Sequence, residues 1–229
     1  MRIVKEPEER KAEILDAAEK LFAAEGYERV SVNDIINAVG LSKGAFYYYF
    51  KSKEEVLDEI IEKRISNGIK RAEEILASPL SPLQKCTEII FAQQLRGEYE
   101  HILLAFQNEG SVGIRSRSAA LKKYEIQYII RLSPCIGKII EEGVEAGLFS
   151  TSFPVENAQM LLCVGYNLFD WNYYPWTEDE AKVKITAFLV AMERILGAKA
   201  GTFSELQVLF PGDIFYPNGY GGGGDEPSG

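Results

Sequence analysis

Between Gly26 and Phe50 glycine and serine punctuate the chain so closely that only short helices fit. Ser31-Val32-Asn33-Asp34 has the S-x-x-D form of a capping box, in which a serine oxygen and a carboxylate each take an orphan N–H at a helix start. Val32, Ile35, Ile36 and Val39 then make one apolar face, and Gly40 ends the segment after about two turns. Ser42 is placed to cap a third helix from Lys43 to about Tyr49. Its Phe46 and Phe50 fall at i and i+4 and point inward with Tyr49 beside them, while Gly44, Tyr47 and Tyr48 fall on the opposite side. Upstream, Ile14, Leu15, Ala18, Leu21 and Phe22 mark one face of a longer helix that stops at Gly26.

A longer helix burying two short ones across a glycine-containing turn is the organisation of a helix-turn-helix, whose second short helix enters the major groove of DNA. The net charge of −9 argues against a nucleic-acid partner until its placement is considered. From Arg29 to Lys53 the chain carries Arg29, Lys43, Lys51 and Lys53 against Asp34 alone, a stripe suited to a phosphate backbone. Ser42, Lys43, Tyr47, Tyr48 and Lys53 can donate to phosphate oxygens, and Gly44 leaves no side chain to hold the backbone off the groove. No Arg, Asn or Gln on the third helix can pair bidentately with a base. Base discrimination therefore falls to Lys43, to Ala45 against a thymine methyl, and to DNA shape.

The ungapped order Gly26-Tyr27, Ser31-Val32-Asn33-Asp34-Ile35 and Val39-Gly40-Leu41-Ser42-Lys43-Gly44-Ala45-Phe46-Tyr47-Tyr48-Tyr49-Phe50-Lys51-Ser52-Lys53-Glu54-Glu55 resembles the DNA-binding head of TetR-family transcriptional regulators. The likeness is close over about the first 60 residues; beyond them only the layout matches. It implies DNA contacts at Ser42, Lys43, Gly44, Ala45, Tyr47, Tyr48 and Lys53, and at the helix-two cap from Ser31 through Val32 to Asn33. It also implies a homodimer formed by the last two helices.

The remainder reads as further helices. Val56 to about Leu76 is followed by a Ser-Pro break, then come Leu83 to about Gly97, Glu98 to about Asn108, and Arg115 to Ala146 with a kink expected at Pro134. Val155 to about Asn172 and Glu178 to Leu196 close the series. No segment calls for a strand, so the expectation is an all-α chain of about nine helices. Its N-terminal three-helix helix-turn-helix head, 1–53, would stand on a larger helical effector-binding and dimerisation body, 54–199, with a disordered tail from about residue 200. In that tail Leu206 to Phe210 and Ile214 to Tyr216 are apolar exceptions able to dock on the body.

Chemistry for catalysis is sparse. His101 is the single histidine, and Cys86, Cys135 and Cys163 are widely spaced, so neither a metal site nor a nucleophile–base pair is indicated. No cofactor-binding motif is present, and the expected thiols are reduced and buried. No apolar run is long enough for a membrane helix, so the expected location is the cytoplasm. The body's aromatic residues, interspersed with amides and acids, suit a small, partly apolar effector. Pocket candidates are Phe91, His101, Phe106, Asn108, Tyr124, Tyr128, Tyr166, Asn167, Asp170 and Trp171, although for any single aromatic among them core or subunit-interface packing is the stronger explanation. The preferred reading is a repressor that binds a palindromic operator on double-stranded DNA as a homodimer and is released by an effector. An activator or effector-independent regulator is the alternative. An α-helical enzyme or a protein-interaction module is more remote.

Overall fold

The structure, a computed structural model, describes residues 6–94, 113–168 and 176–209, apart from the side chains at 91–94, 113–121, 178 and 207–209. Eight α-helices lie among the described residues: α1 (Pro7–Glu25), α2 (Val32–Val39), α3 (Lys43–Tyr49), α4 (Lys53–Leu76), α5 (Pro82–Gln94), α6 (Gly113–Glu145), α7 (Pro154–Leu168) and α8 (Glu178–Leu196). A 3-10 turn over Ser204–Leu209 follows. The described chain is all-α, as expected. The helix expected from Glu98 to Asn108 lies outside the described residues.

Local chemistry sets most of these boundaries. Pro7 occupies the first turn of α1, where its missing N–H costs no helical bond. The capping box at α2 is formed: the Ser31 N–H donates to Asp34 Oδ2 at 2.8 Å, and the Asp34 N–H to Ser31 Oγ at 3.3 Å. Gly40 ends α2 at φ +64°, a left-handed conformation in which a Cβ would be strained. Thr177 and Glu180 form a second capping box at the start of α8. Helix α6 contains Pro134, which deprives the Ile130 carbonyl of its usual i+4 donor, and the neighbouring Ser133 hydroxyl donates to the Ile129 carbonyl.

Both box carboxylates titrate below the ordinary range, Asp34 through its bonds from the Ser31 side chain and backbone, Glu180 through those from the Thr177 backbone and side chain. Each therefore adds stability above the unfolded-state pKa of about 4, and that contribution is lost as pH falls through the lower folded-state pKa. Asp34→Ala is expected to flatten the loss of thermal stability between about pH 5 and pH 2. Melting temperature followed against pH checks this.

The chain divides into two compact units, one of residues 1–71 and 95–128, the other of 72–94 and 129–229. In the first, α1, α2, α3 and the start of α4 share a core of Ile14, Ala18, Phe22, Val30, Ile35, Phe46, Phe50, Val56 and Ile65, each at most 1% exposed. Helices α1 and α4 are also joined by three ion pairs, Lys11–Glu59, Lys63–Asp16 and Arg64–Glu19. The first two are partly or largely exposed and are worth about 0–1 kcal/mol each, so they fix register more than they stabilise.

The second unit packs Ile140, Phe149, Ala158, Ile185, Leu189, Met192 and Leu196 together. Phe203 and Leu206 belong to the same core, at 0% and 2% exposure. The expected disorder from about residue 200 therefore does not hold as far as residue 209. Phe203 stacks on Phe149 at a centroid distance of 5.9 Å, and its N–H donates to the buried Glu193 carboxylate at 3.1 Å. Apolar side chains at i and i+3 found cover on an existing core, which the glycine-rich composition around them obscured. Residues 210–229, with Ile214 to Tyr216, lie outside the described part.

The cysteines divide as well. Burial and the nearby Glu142 push the Cys86 thiol up to about 12, and Cys135 is buried. Cys163 is exposed on α7, against the expectation that all three thiols would be buried, because its position on the helix faces away from the unit's core.

Candidate nucleic-acid interface

The two faces of α3 separate as the spacing predicts. Phe46 is fully buried and Phe50 is 1% exposed, with their rings 6.0 Å apart. Tyr47 and Tyr48 on the other side are 46% and 78% exposed, and Lys43 is exposed with them. Their inner ring edges are braced, Tyr47 against Phe46 and Tyr48 against Tyr49, so the hydroxyls stand on supported rings. A methyl placed on Gly44 would meet no atom within 4 Å. Nothing inside the head demands glycine there, and the space it leaves open is on the outer side.

The caps differ in what they leave available. Ser42 Oγ accepts from the Ala45 N–H at 3.2 Å and so retains its own hydroxyl proton for an outside acceptor. The Ser31 hydroxyl instead donates to Asp34 Oδ2 at 2.6 Å, which commits its proton to the capping box. Beside it Val32 is half-buried and Asn33 exposed, at a helix start whose first N–H groups have no intrahelical partner. Ala45 is half-buried at the edge of the same face.

Lys53 departs from the simple reading. Its ammonium donates to the Tyr27 carbonyl at 2.7 Å, lies 3.5 Å from the Glu28 carbonyl, and sits 4.2 Å above the Tyr27 ring. The adjacent Glu54 carboxylate is held below its usual range, chiefly by its own backbone N–H and the Ser52 side chain, with smaller contributions from Lys53 and the Tyr27 hydroxyl. A shallow open groove runs past Arg29, Ser31, Val32, Tyr47, Lys51 and Lys53. Arg29 and Lys51, members of the basic stripe outside the expected contact residues, line this groove as well. Their contribution to one groove depends on chain folding that brings residues 28–32 beside residues 51–54.

Of the effector-pocket candidates, Tyr124 and Tyr128 are buried and stacked at 5.4 Å in the first unit. A Cβ on Gly68 of α4 would collide with the Tyr128 hydroxyl and ring edge, so that ring is seated directly on the α4 backbone. Tyr166 and Asn167 lie on α7 in the second unit, half-buried and exposed, and the Asn167 amide donates to the Cys163 carbonyl at 2.8 Å. His101, Phe106, Asn108, Asp170 and Trp171 lie outside the described residues, as does the Phe91 side chain. Among the described residues no group of His, Cys, Asp and Glu could hold a metal ion.

A short capped helix presenting lysine, tyrosine and an open glycine, buttressed by two others, defines a helix-turn-helix regulator of transcription. Residues 14–60 match the family model for bacterial regulatory proteins of the tetR family, and residues 107–191 match that for a tetracyclin repressor-like C-terminal domain. The chain belongs to the TetR family and is a DNA-binding transcriptional regulator. It is 29% identical over 157 residues to the uncharacterized HTH-type transcriptional regulator YfiR of Bacillus subtilis, spanning 65% of this chain and 72% of that one. The HTH-type transcriptional repressor KstR2 of Mycolicibacterium smegmatis is 31% identical over 105 residues, 45% of this chain and 51% of that protein. Among solved structures, the TetR-family regulator PfmR of Thermus thermophilus aligns at 27% identity and TM-score 0.51, covering 81% of this chain and 97% of that one.

Proposed function

We propose that the chain is a homodimeric repressor whose two heads grip successive major-groove faces of a palindromic operator and which a small, partly apolar effector releases. The observation that carries the DNA part is the outward face of α3, where Lys43, Gly44, Tyr47 and Tyr48 are free of the core. Lys43 and Ala45 read bases; Tyr47, Tyr48, Ser42 and the helix start at Val32 and Asn33 hold phosphates. A two-fold protein asks for a two-fold site, with half-sites about 34–36 Å apart.

Two exposed apolar rows support dimerisation through the last two helices. Met160, Cys163 and Val164 fall together on α7, and Val183 and Val190 on α8, with Val183 at 69% exposure. Exposed apolar rows of this kind are the usual mark of a partner surface. The seat of Tyr128 on Gly68 supports a route for release, since a ligand that shifts this ring acts on α4, which runs unbroken from residue 53 to residue 76. By linkage, operator and effector must weaken each other equally, typically by about 1–3 kcal/mol.

Selection of random duplex DNA on the purified protein, followed by binding at several salt concentrations, tests this reading. The expected result is a palindromic consensus and a steep fall of affinity with salt. Enrichment of half-sites alone would remove the dimer, and no enrichment would remove the operator-binding role.

A further inference from the structure

A lysine in the first turn of a helix stands at the positive end of the macrodipole, where a cation is disfavoured. Lys53 occupies that position in α4, and the head surrounds its ammonium with electron-rich groups: the Tyr27 carbonyl at 2.7 Å, the Glu28 carbonyl at 3.5 Å and the Tyr27 ring face at 4.2 Å. Tyr27 is itself 6% exposed, and its ring meets Phe22 edge-on at 5.1 Å. Both carbonyl partners belong to the segment that leads from Gly26 into the Ser31 cap, immediately before the helix start at Val32 and Asn33.

We infer that Lys53 is a positioning residue that latches the α1–α2 segment onto the start of α4 and so sets where the N-terminus of α2 meets the DNA, rather than a phosphate ligand. The inference rests on the reading of this head as the operator-binding surface. A lysine that neutralises a phosphate releases a counterion, and its loss lowers the salt slope of binding by about one unit. A latch that stays on Tyr27 releases none. Its loss displaces α2, lowers affinity for the operator and leaves the slope in place.

The experiment is a double-mutant cycle of Lys53→Met and Tyr27→Leu in the full-length chain, with affinity for the selected operator measured at several salt concentrations. Helix content by circular dichroism at the working temperature establishes that each variant is folded. Lys53→Met is expected to weaken binding about tenfold, equivalent to about 1.4 kcal/mol, with an unchanged slope. Tyr27→Leu removes the ring beneath the ammonium but keeps both backbone carbonyls, so it should weaken binding less than Lys53→Met does, again at an unchanged slope, and the double variant should lose less than the two singles together. A slope reduced by about one unit in Lys53→Met overturns the latch. If Lys53→Met fails to fold, Lys53→Gln decides: it removes the charge a phosphate contact needs but keeps an N–H donor for the carbonyls. An unchanged slope then upholds the latch, and a slope reduced by about one unit overturns it. Absence of salt-dependent binding by the wild-type chain overturns the operator-binding reading itself and this inference with it.

Discussion

Replacing Phe46 by Ala is expected to cost the head about 3–5 kcal/mol and to abolish operator binding. The side chain is wholly buried, its ring lies 5.5 Å from Tyr47 and 6.0 Å from Phe50, and α3 is too short to hold itself in the absence of this anchor. Against a typical domain stability of about 5–15 kcal/mol, such a loss leaves little margin. Tyr48→Ala, two residues further along the same helix, is expected to change stability by no more than about 0.5 kcal/mol, because 78% of the residue is exposed. It should nevertheless weaken operator binding. Thermal denaturation of both variants beside an operator titration separates the two faces. A Phe46→Ala protein as stable as wild type would show that α3 is not anchored as described.

Val164→Glu is expected to turn the proposed dimer into monomers and to lower operator affinity by about 10²–10⁴, the gain that linking two binding heads provides. Val164 is 47% exposed between Met160 and the α7 C-terminus, and two carboxylates brought together on a desolvating apolar surface repel at high cost. Sedimentation measures the first effect and operator titration the second. Cys163, the neighbouring residue, supplies an independent readout in the wild-type protein. It is exposed, whereas Cys86 is half-buried with its thiol pushed up to about 12 and Cys135 is buried, so a short bis-maleimide should link subunits through Cys163 and fail in Cys163→Ser. Unchanged sedimentation of Val164→Glu would place the subunit contact on another surface.

The head was legible because its signals are short-range. Ser31 with Asp34, Gly40, Ser42 with Ala45 and the i, i+4 pair Phe46 and Phe50 each concern residues within about one turn, and their geometry follows from helix periodicity alone. The same periodicity puts Tyr47 and Tyr48 on the outer face. It was less informative about the effector candidates. An aromatic on an amphipathic helix has the same periodicity whether it lines a cavity or fills a core, and Tyr124 and Tyr128 are both buried.

Composition misled at the start of the tail. The glycine and proline after residue 197 signalled disorder, yet Phe203 and Leu206 are buried and Glu193 receives the Phe203 N–H. Lys53 reads as a cation able to donate to phosphate, and the fold also places its ammonium on the Tyr27 carbonyl, 26 residues earlier in the chain. Residue order thus decided the all-helical class, the helix boundaries in the head and the outward face of α3, since each is a property of neighbours along one helix. Folding decided the partners of Lys53, the seat of Tyr128 on Gly68 and the cover over Phe203. Those depend on which helices pack together, and no periodicity within a single segment encodes that choice.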